Sequence, residues 1–476
     1  MAGPAGIASL HSLRTRVTSG PSTVEGPPTQ SRIAHNTLLN LVGVAVPLAI
    51  AFLVMPVAAR TLGPARFGLI ALAWAVTEYL ILFDLGLGRA TVRFVAETLR
   101  RNATDVTQVA SLAIAVQLIA GLAGGGLFVL LAPALVGTVF KLPPALAGEA
   151  LAMFRVVGFG LPVVLLLTGL RGILEGAQRF DLSNGLKIAS SSASVALPAV
   201  GGLAGASLST IMWWIVISRL LFCGLSLIAI PRAVPLLKWR LPRRWSRSRE
   251  MLSFGGWVLV SNAVSPVLTY FDRFALGAVA GVAAVGFYTA PYEGVTRLGL
   301  VAVALGSSIL PALSSLKNEE RAWSAELVSS SIRTVTVLMI LPLAVIFVFA
   351  PTLLEMWLDP TTAAQAGTAL RILSIGVFAN ALAQIPLVTL YAYNRPDLPA
   401  KFHLGELVVH VPLTLLLVSH LGIVGAALAW TIRVWIDLFL LLAGASRCLG
   451  VSVTVMLTTE KSALARIWRY GRGVFR

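Results

Sequence analysis

The chain has 476 residues, 57% of them hydrophobic and 12% charged, with a mean hydropathy of +0.86, whereas a soluble domain carries about 25% charged residues. That excludes a water-soluble globular domain and defines a polytopic membrane protein. The formal net charge of +17 would suit nucleic acid, but the cations fall in short loops between apolar runs, where anionic headgroups attract them, so membrane lipids and no nucleic acid are the expected partners.

Residues 1–32 are Gly, Pro, Ser and Thr with scattered Arg, without the apolar core of a signal peptide, and are expected to form a disordered cytoplasmic tail. Apolar runs near the spanning length of about 20 residues predict helices over 36–59, 66–89, 106–132, 149–173, 182–202 and 206–230, an N-lobe of residues 33–230. The segment Pro231 to Arg249, PRAVPLLKWRLPRRWSRSR, holds seven cations and reads as a basic cytoplasmic linker, residues 231–249. Six further helices over 252–279, 284–310, 326–349, 368–392, 399–418 and 422–446 make a C-lobe of residues 250–446. A basic cytoplasmic tail follows over 447–476, in which Glu460 to Arg476 reads as an interfacial helix or as a disordered segment.

Within the spans, Ser190, Ser191, Ser192 and Ser194 point to a small-residue helix interface in the fifth. Pro47 and Pro56 make the first either a bending gate or a statically kinked wall. Arg60, Arg66 and Lys141 are the cations assigned to the loops of one side, against the large majority in the tails and the alternate loops, so both termini are expected to be cytoplasmic. Cys223 and Cys448 have no CxxC and no His beside them and read as packing residues.

The chain contains itself twice. A shift of 218 positions lays Gly63 on Gly281, Gly68 on Gly286, Gly88 on Gly306 and Ala132-Pro133 on Ala350-Pro351. A shift of 216 lays Arg155 on Arg371, Gly160 on Gly376, Arg179 on Arg395 and Asp181-Leu182 on Asp397-Leu398. The expected fold is an all-α membrane protein of about twelve transmembrane helices in two parallel six-helix repeats, with a central site between lobes that rock against each other.

The runs LGPARFGLIALA and FDLGLGRATVRFVAE, the counterpart YFDRFALGAVAGVAAVGFYTAPYEGVTRLGL, and the LEGAQRFDL and YAYNRPDL corners resemble bacterial polysaccharide-synthesis flippases. These belong to the multidrug, oligosaccharidyl-lipid and polysaccharide exporter superfamily, whose lobes form a V-shaped bundle. The resemblance spans about residues 33 to 446 and implies a flippase of the bacterial inner membrane. Such a protein carries polyprenyl-diphosphate-linked oligosaccharide, or exports polysaccharide, for lipopolysaccharide, capsule or exopolysaccharide synthesis. It implies a lipid-linked oligosaccharide as partner, with glycosyltransferases and a polysaccharide polymerase as further partners. Two rivals stay open: a cation-coupled drug exporter of the same superfamily, and a non-transporting scaffold for a polysaccharide-synthesis complex.

Charged side chains at mid-bilayer cost at least about 2.5 to 3.5 kcal/mol, so those that persist face a cavity or a partner. The deep cations are Arg155, Arg219, Arg273, Arg297, Arg371 and Arg433. Glu293 with Arg297, and Arg433 with Asp437, stand one turn apart and are expected to pair. Arg155 and Arg371 occupy one repeat position and either grip a diphosphate together or pin their helices to nearby carbonyls. Asp272-Arg273 and the Asp84 of the DLGL corner match the family's pattern. Glu78, expected to be buried mid-helix in the second span and without a cation within a turn, is the candidate for binding a coupling H+ or Na+. His403 and His410 read as polar packing or cavity-lining groups. No resident cofactor or metal, no P-loop and no GxSxG is found, so a transporter and not an enzyme is expected, driven by a gradient, the membrane potential or consumption of substrate.

Overall fold

The computed structural model describes residues 30–84, 86–101, 105–239, 264, 266–315 and 321–458. Residues 1–29, most of the basic linker, the start of the seventh helix and the Glu460 to Arg476 stretch lie outside them. The described residues are helical throughout, without a strand, because in lipid a helix satisfies its backbone internally.

The helices are α1 (Gln30–Leu80), α2 (Leu87–Arg101), α3 (Val106–Ala134), α4 (Pro144–Gly176), α5 (Phe180–Leu203) and α6 (Leu208–Ala233) in the first half. The second half holds α7 (266–279), α8 (Val282–Thr296), α9 (Leu300–Ser315), α10 (Arg321–Trp357), α11 (Pro360–Ala392), α12 (Asp397–Leu449) and α13 (Val453–Thr458). Among the described residues, nine helices are long and apolar enough to cross a membrane. Two of them carry two predicted spans each: α1 turns at Gly63 (φ 73°, ψ 165°) and α12 at Gly422 (φ 53°, ψ −125°). In α1 the backbone stays helical through Pro47 and Pro56, and the break falls at Gly63.

The repeat is visible in the backbone itself. Two pairs of matched residues take a positive φ, Gly63 and Gly281 (73° and 88°) and Gln178 and Asn394 (60° and 54°), and Gly205 and Gly422 (64° and 53°), 217 residues apart, do so at one residue's offset from the repeat. Each sits at a turn, and glycine or asparagine tolerates that region best. Beside the second pair, Arg179 forks onto Asp181 at 3.0 and 2.7 Å and Arg395 onto Asp397 at 2.9 and 3.2 Å, the same corner made twice.

The second predicted helix is shorter than the expected 66–89. It stops at Leu80, passes through a 3₁₀ turn over Ile81–Asp84, and restarts as α2. Asp84 causes the restart: Oδ2 accepts the Gly88 backbone N–H at 2.9 Å and Oδ1 accepts Gln117 Nε2 at 2.8 Å, while Gly86 takes φ 72°. The corner between α8 and α9 also passes through a 3₁₀ turn, Arg297–Gly299, without such a cap. At the start of α11, Asp359 caps the helix, accepting the Thr362 N–H at 2.9 Å and its hydroxyl at 2.6 Å.

In the N-lobe α1 packs on α5, and α4 on α3 and α6; in the C-lobe α11 packs on α10 and α12. The α1–α5 contact is close through glycines: Gly202 lies against Thr61 and Gly43 against Asn184. The lobes meet along α1 and α8.

Candidate functional site at the lobe interface

The described part of α7 carries Asp272 and Arg273, which are 1% and 2% exposed. A buried arginine persists only with partners, and here it is boxed in. Its Nη2 meets Glu293 Oε1 at 2.6 Å, and the guanidinium lies 4.8 Å from the ring centres of both Tyr270 and Tyr292. Asp272 accepts the Arg273 N–H at 2.7 Å and the Tyr288 hydroxyl at 2.6 Å. The other oxygen of Glu293 takes Arg297, one turn on, as its spacing predicted. One carboxylate thus serves two arginines, and the side chain of Arg297 stays 52% exposed.

Glu78, on the second arm of α1, is exposed and not buried as expected, and lies within electrostatic reach of Arg219 in its own lobe and of Arg273, Arg297 and Glu293 in the other. Arg219 in α6 reaches Ser194 of α5 at 3.4 Å. Glu78 thus faces, across the lobe boundary, the linked set Arg273, Glu293 and Arg297, with Arg219 on its own side and Asp272 beside Arg273.

Beside Glu293 and Arg297, at the seam of α1 and α8, a cavity of about 290 Å³ is lined by Leu48, Phe52, Met55, Glu293, Arg297 and Trp357. It has a charged floor and apolar walls. Two of its lining residues join the lobes: Trp357 stacks on Phe52 at 5.0 Å and donates its indole N–H to the Phe52 carbonyl at 3.0 Å. Arg60 adds to this, donating to the Leu358 carbonyl and, at 3.3 Å, to that of Trp357.

The remaining candidates lie elsewhere. Arg155 is exposed on α4. Arg371 donates Nε to the Phe347 carbonyl at 3.1 Å, which Pro351, four residues on, cannot reach because it has no N–H. Asp84 is the cap of α2. The expected pairing of Arg433 with Asp437 is replaced. Because α12 doubles back at Gly422, Glu406 comes opposite Arg433 and pairs with it at 3.4 Å, while Asp437 faces His403 at 3.5 Å.

Sequence reasoning passed over Tyr270, Tyr288, Tyr292 and Glu406. The tyrosines had a signal: Tyr288 and Tyr292 stand one turn apart on the helix of Glu293. Glu406 had none, since its partners lie across the turn of α12.

The fold and its paired-charge interface are those of a two-lobe membrane transporter. The model of the polysaccharide biosynthesis protein family matches residues 33–317, and the chain belongs to that family. It is 29% identical over 412 residues to a Shigella flexneri protein described as an O-antigen transporter, covering 86% of this chain and 96% of that one. Among solved structures it is similar to an inward-facing multidrug resistance MATE transporter of the MOP superfamily (TM-score 0.70, 17% identity, 86% of this chain and 98% of that one). It is also similar to the lipid II flippase MurJ in an inward closed conformation (TM-score 0.67, 13% identity, 89% of each chain). These two likenesses give the fold: two parallel repeats in a MATE-like bundle.

Proposed function

We propose that the chain is a flippase that moves a lipid-diphosphate-linked oligosaccharide across the bacterial inner membrane, with both termini cytoplasmic and the Gly63–Gly281 end periplasmic. The observation that carries the reading is the cavity at the α1–α8 seam. Its Arg297–Glu293 floor suits a phosphate headgroup, since the arginine can trade one anion for another, and its Phe52, Met55 and Trp357 walls suit the first units of a polyprenyl chain. The O-antigen transporter similarity over nearly the whole length supports a saccharide cargo. In this mechanism the headgroup displaces Arg297 from Glu293, Arg273 keeps the freed carboxylate paired, and the lobes then part around α1 and α8. Glu78, facing cations of both lobes, is the group that registers the change and that would exchange H+ or Na+. The exposed, repeat-matched Arg155 offers a second phosphate contact. Glycosyltransferases and a polymerase are the enzymes that would supply and consume such a substrate.

Flipping of a fluorescent lipid-linked diphosphate oligosaccharide in proteoliposomes tests this. Wild-type protein is expected to accelerate it, and Arg297→Gln to slow it by 10-fold or more while the protein still folds. A wild type without activity on any lipid diphosphate, in the presence of a gradient, overturns the reading.

A further inference from the structure

The C-lobe holds a second charged cluster, away from the lobe interface and between the two arms of α12. His403 and Glu406 stand three residues apart, hence on one face of the first arm, and Asp437 faces them from the second. One donor atom from each of the three lies within 4.8 Å of the others.

Hydrogen bonding leaves this cluster unfinished. Arg433 occupies Glu406 Oε2 at 3.4 Å, and Glu406 Oε1 has no hydrogen-bond partner although its side chain is 1% exposed. Asp437 Oδ1 is likewise buried and unpartnered, and His403 Nε2 stands 3.5 Å from it. A buried carboxylate oxygen without a donor is costly, and here two carboxylates stand together beside one arginine and one histidine. A cavity of about 280 Å³ opens beside Glu406, lined by Lys401, Glu406, His410 and Arg433 among apolar residues, and the His403 side chain is 33% exposed.

We propose that His403, Glu406 and Asp437 bind one divalent transition-metal ion. The donor set is an imidazole and two carboxylates, which suits Mn²⁺, Fe²⁺, Co²⁺ or Zn²⁺ better than Na⁺ or Ca²⁺, whose ligands are oxygens. Facing helices supplying carboxylates and a histidine three residues from a glutamate are the way helical bundles build such sites. Arg433 then acts on the ligand and not on the ion: it fixes Glu406 through Oε2 so that Oε1 is presented to the metal. The ion joins the two arms of α12 and supplies the partner that Glu406 Oε1 and Asp437 Oδ1 lack.

Co²⁺ serves as the probe, because its visible bands report coordination directly. Full-length, tag-free protein in detergent micelles is stripped with a chelator and titrated with Co²⁺, then with competing Zn²⁺. One equivalent per chain is expected, with Zn²⁺ displacing it. Glu406→Gln should weaken binding by 10-fold or more, and the exposed Glu355→Gln should leave it unchanged. Glu406→Gln also strands Arg433 and risks misfolding, so His403→Gln, at a partly exposed position, decides: it should keep the wild-type melting temperature and lose at least 10-fold in affinity. Absence of stoichiometric Co²⁺ binding by the wild type, a cluster that only takes up protons, or unchanged affinity in His403→Gln overturns the site.

Discussion

Gly68 and Gly286 face each other across the two lobes as a reciprocal pair: a Cβ on Gly68 would lie 1.9 Å from the Val282 carbonyl oxygen, and one on Gly286 would lie 2.1 Å from that of Pro64. The 218-residue shift carries each contact onto the other, so the seam lies on the pseudo-two-fold axis of the repeat. Gly68→Ala and Gly286→Ala are therefore expected to wedge the seam open by equal amounts, at about 1–3 kcal/mol each. Cross-linking of cysteines placed at Ala59 and Thr361, which line one cavity at this end, reports the closed population. A wild-type cross-linking yield in both variants would show that the seam takes up the added methyl without opening.

Glu293 and Arg297 should separate by stability. Glu293→Gln strands the buried Arg273 and should cost about 3–5 kcal/mol, whereas Arg297→Gln removes a half-exposed charge and should cost about 1 kcal/mol or less. Thermal unfolding in micelles measures the difference. Equal losses would mean that Arg273 finds another partner.

The Arg371–Phe347 contact predicts a dependence on Pro351. Arg371→Gln should lose about 1 kcal/mol of stability, and this loss should vanish in a Pro351→Ala background, where the restored N–H satisfies the Phe347 carbonyl. A double-mutant cycle reads the coupling. If Arg371 also touches the diphosphate, its flipping defect persists in that background; if it is a pin alone, the defect disappears together with the stability loss.

Asp359 lies outside the spans. Burial works against its ionised form, but hydrogen bonds from Thr362 and Thr361 outweigh it and hold the carboxyl below its ordinary value. A depressed carboxyl contributes stability that is complete above its unfolded value of about 3.9 and is lost as pH falls through the folded one. Asp359→Ala should cost about 0.5–2 kcal/mol at pH 7, and the gap from wild type should narrow below about pH 4. A gap that stays constant with pH would assign the effect to helix propensity instead of the cap.

The repeat and the helix count were legible because hydropathy and glycine placement are local. Gly63 and Gly281, which the 218-residue shift superposes, both fall at turns of the structure. Glu293 with Arg297 was readable for the same reason, both being on one helix face. Arg433 was assigned to the wrong carboxylate because helical spacing carries no information about the opposing arm, and Glu406 comes from that arm. The box around Arg273 was equally hidden: its partners Tyr292 and Glu293 lie on α8, and nothing in the α7 sequence names them.

The clasp formed by Arg60, Trp357 and Phe52 has an energetic scale. Its hydrogen bonds contribute about 0.5–1.5 kcal/mol each, and the stacked rings add about 0.5–1.5 kcal/mol. Moving a two-state population from 99:1 to 1:99 takes about 5.5 kcal/mol of differential affinity. The clasp is of that order, so a headgroup that forms two or three charge-assisted hydrogen bonds in the open arrangement alone suffices to tip the lobes. A neutral lipid without such contacts leaves the population where it was.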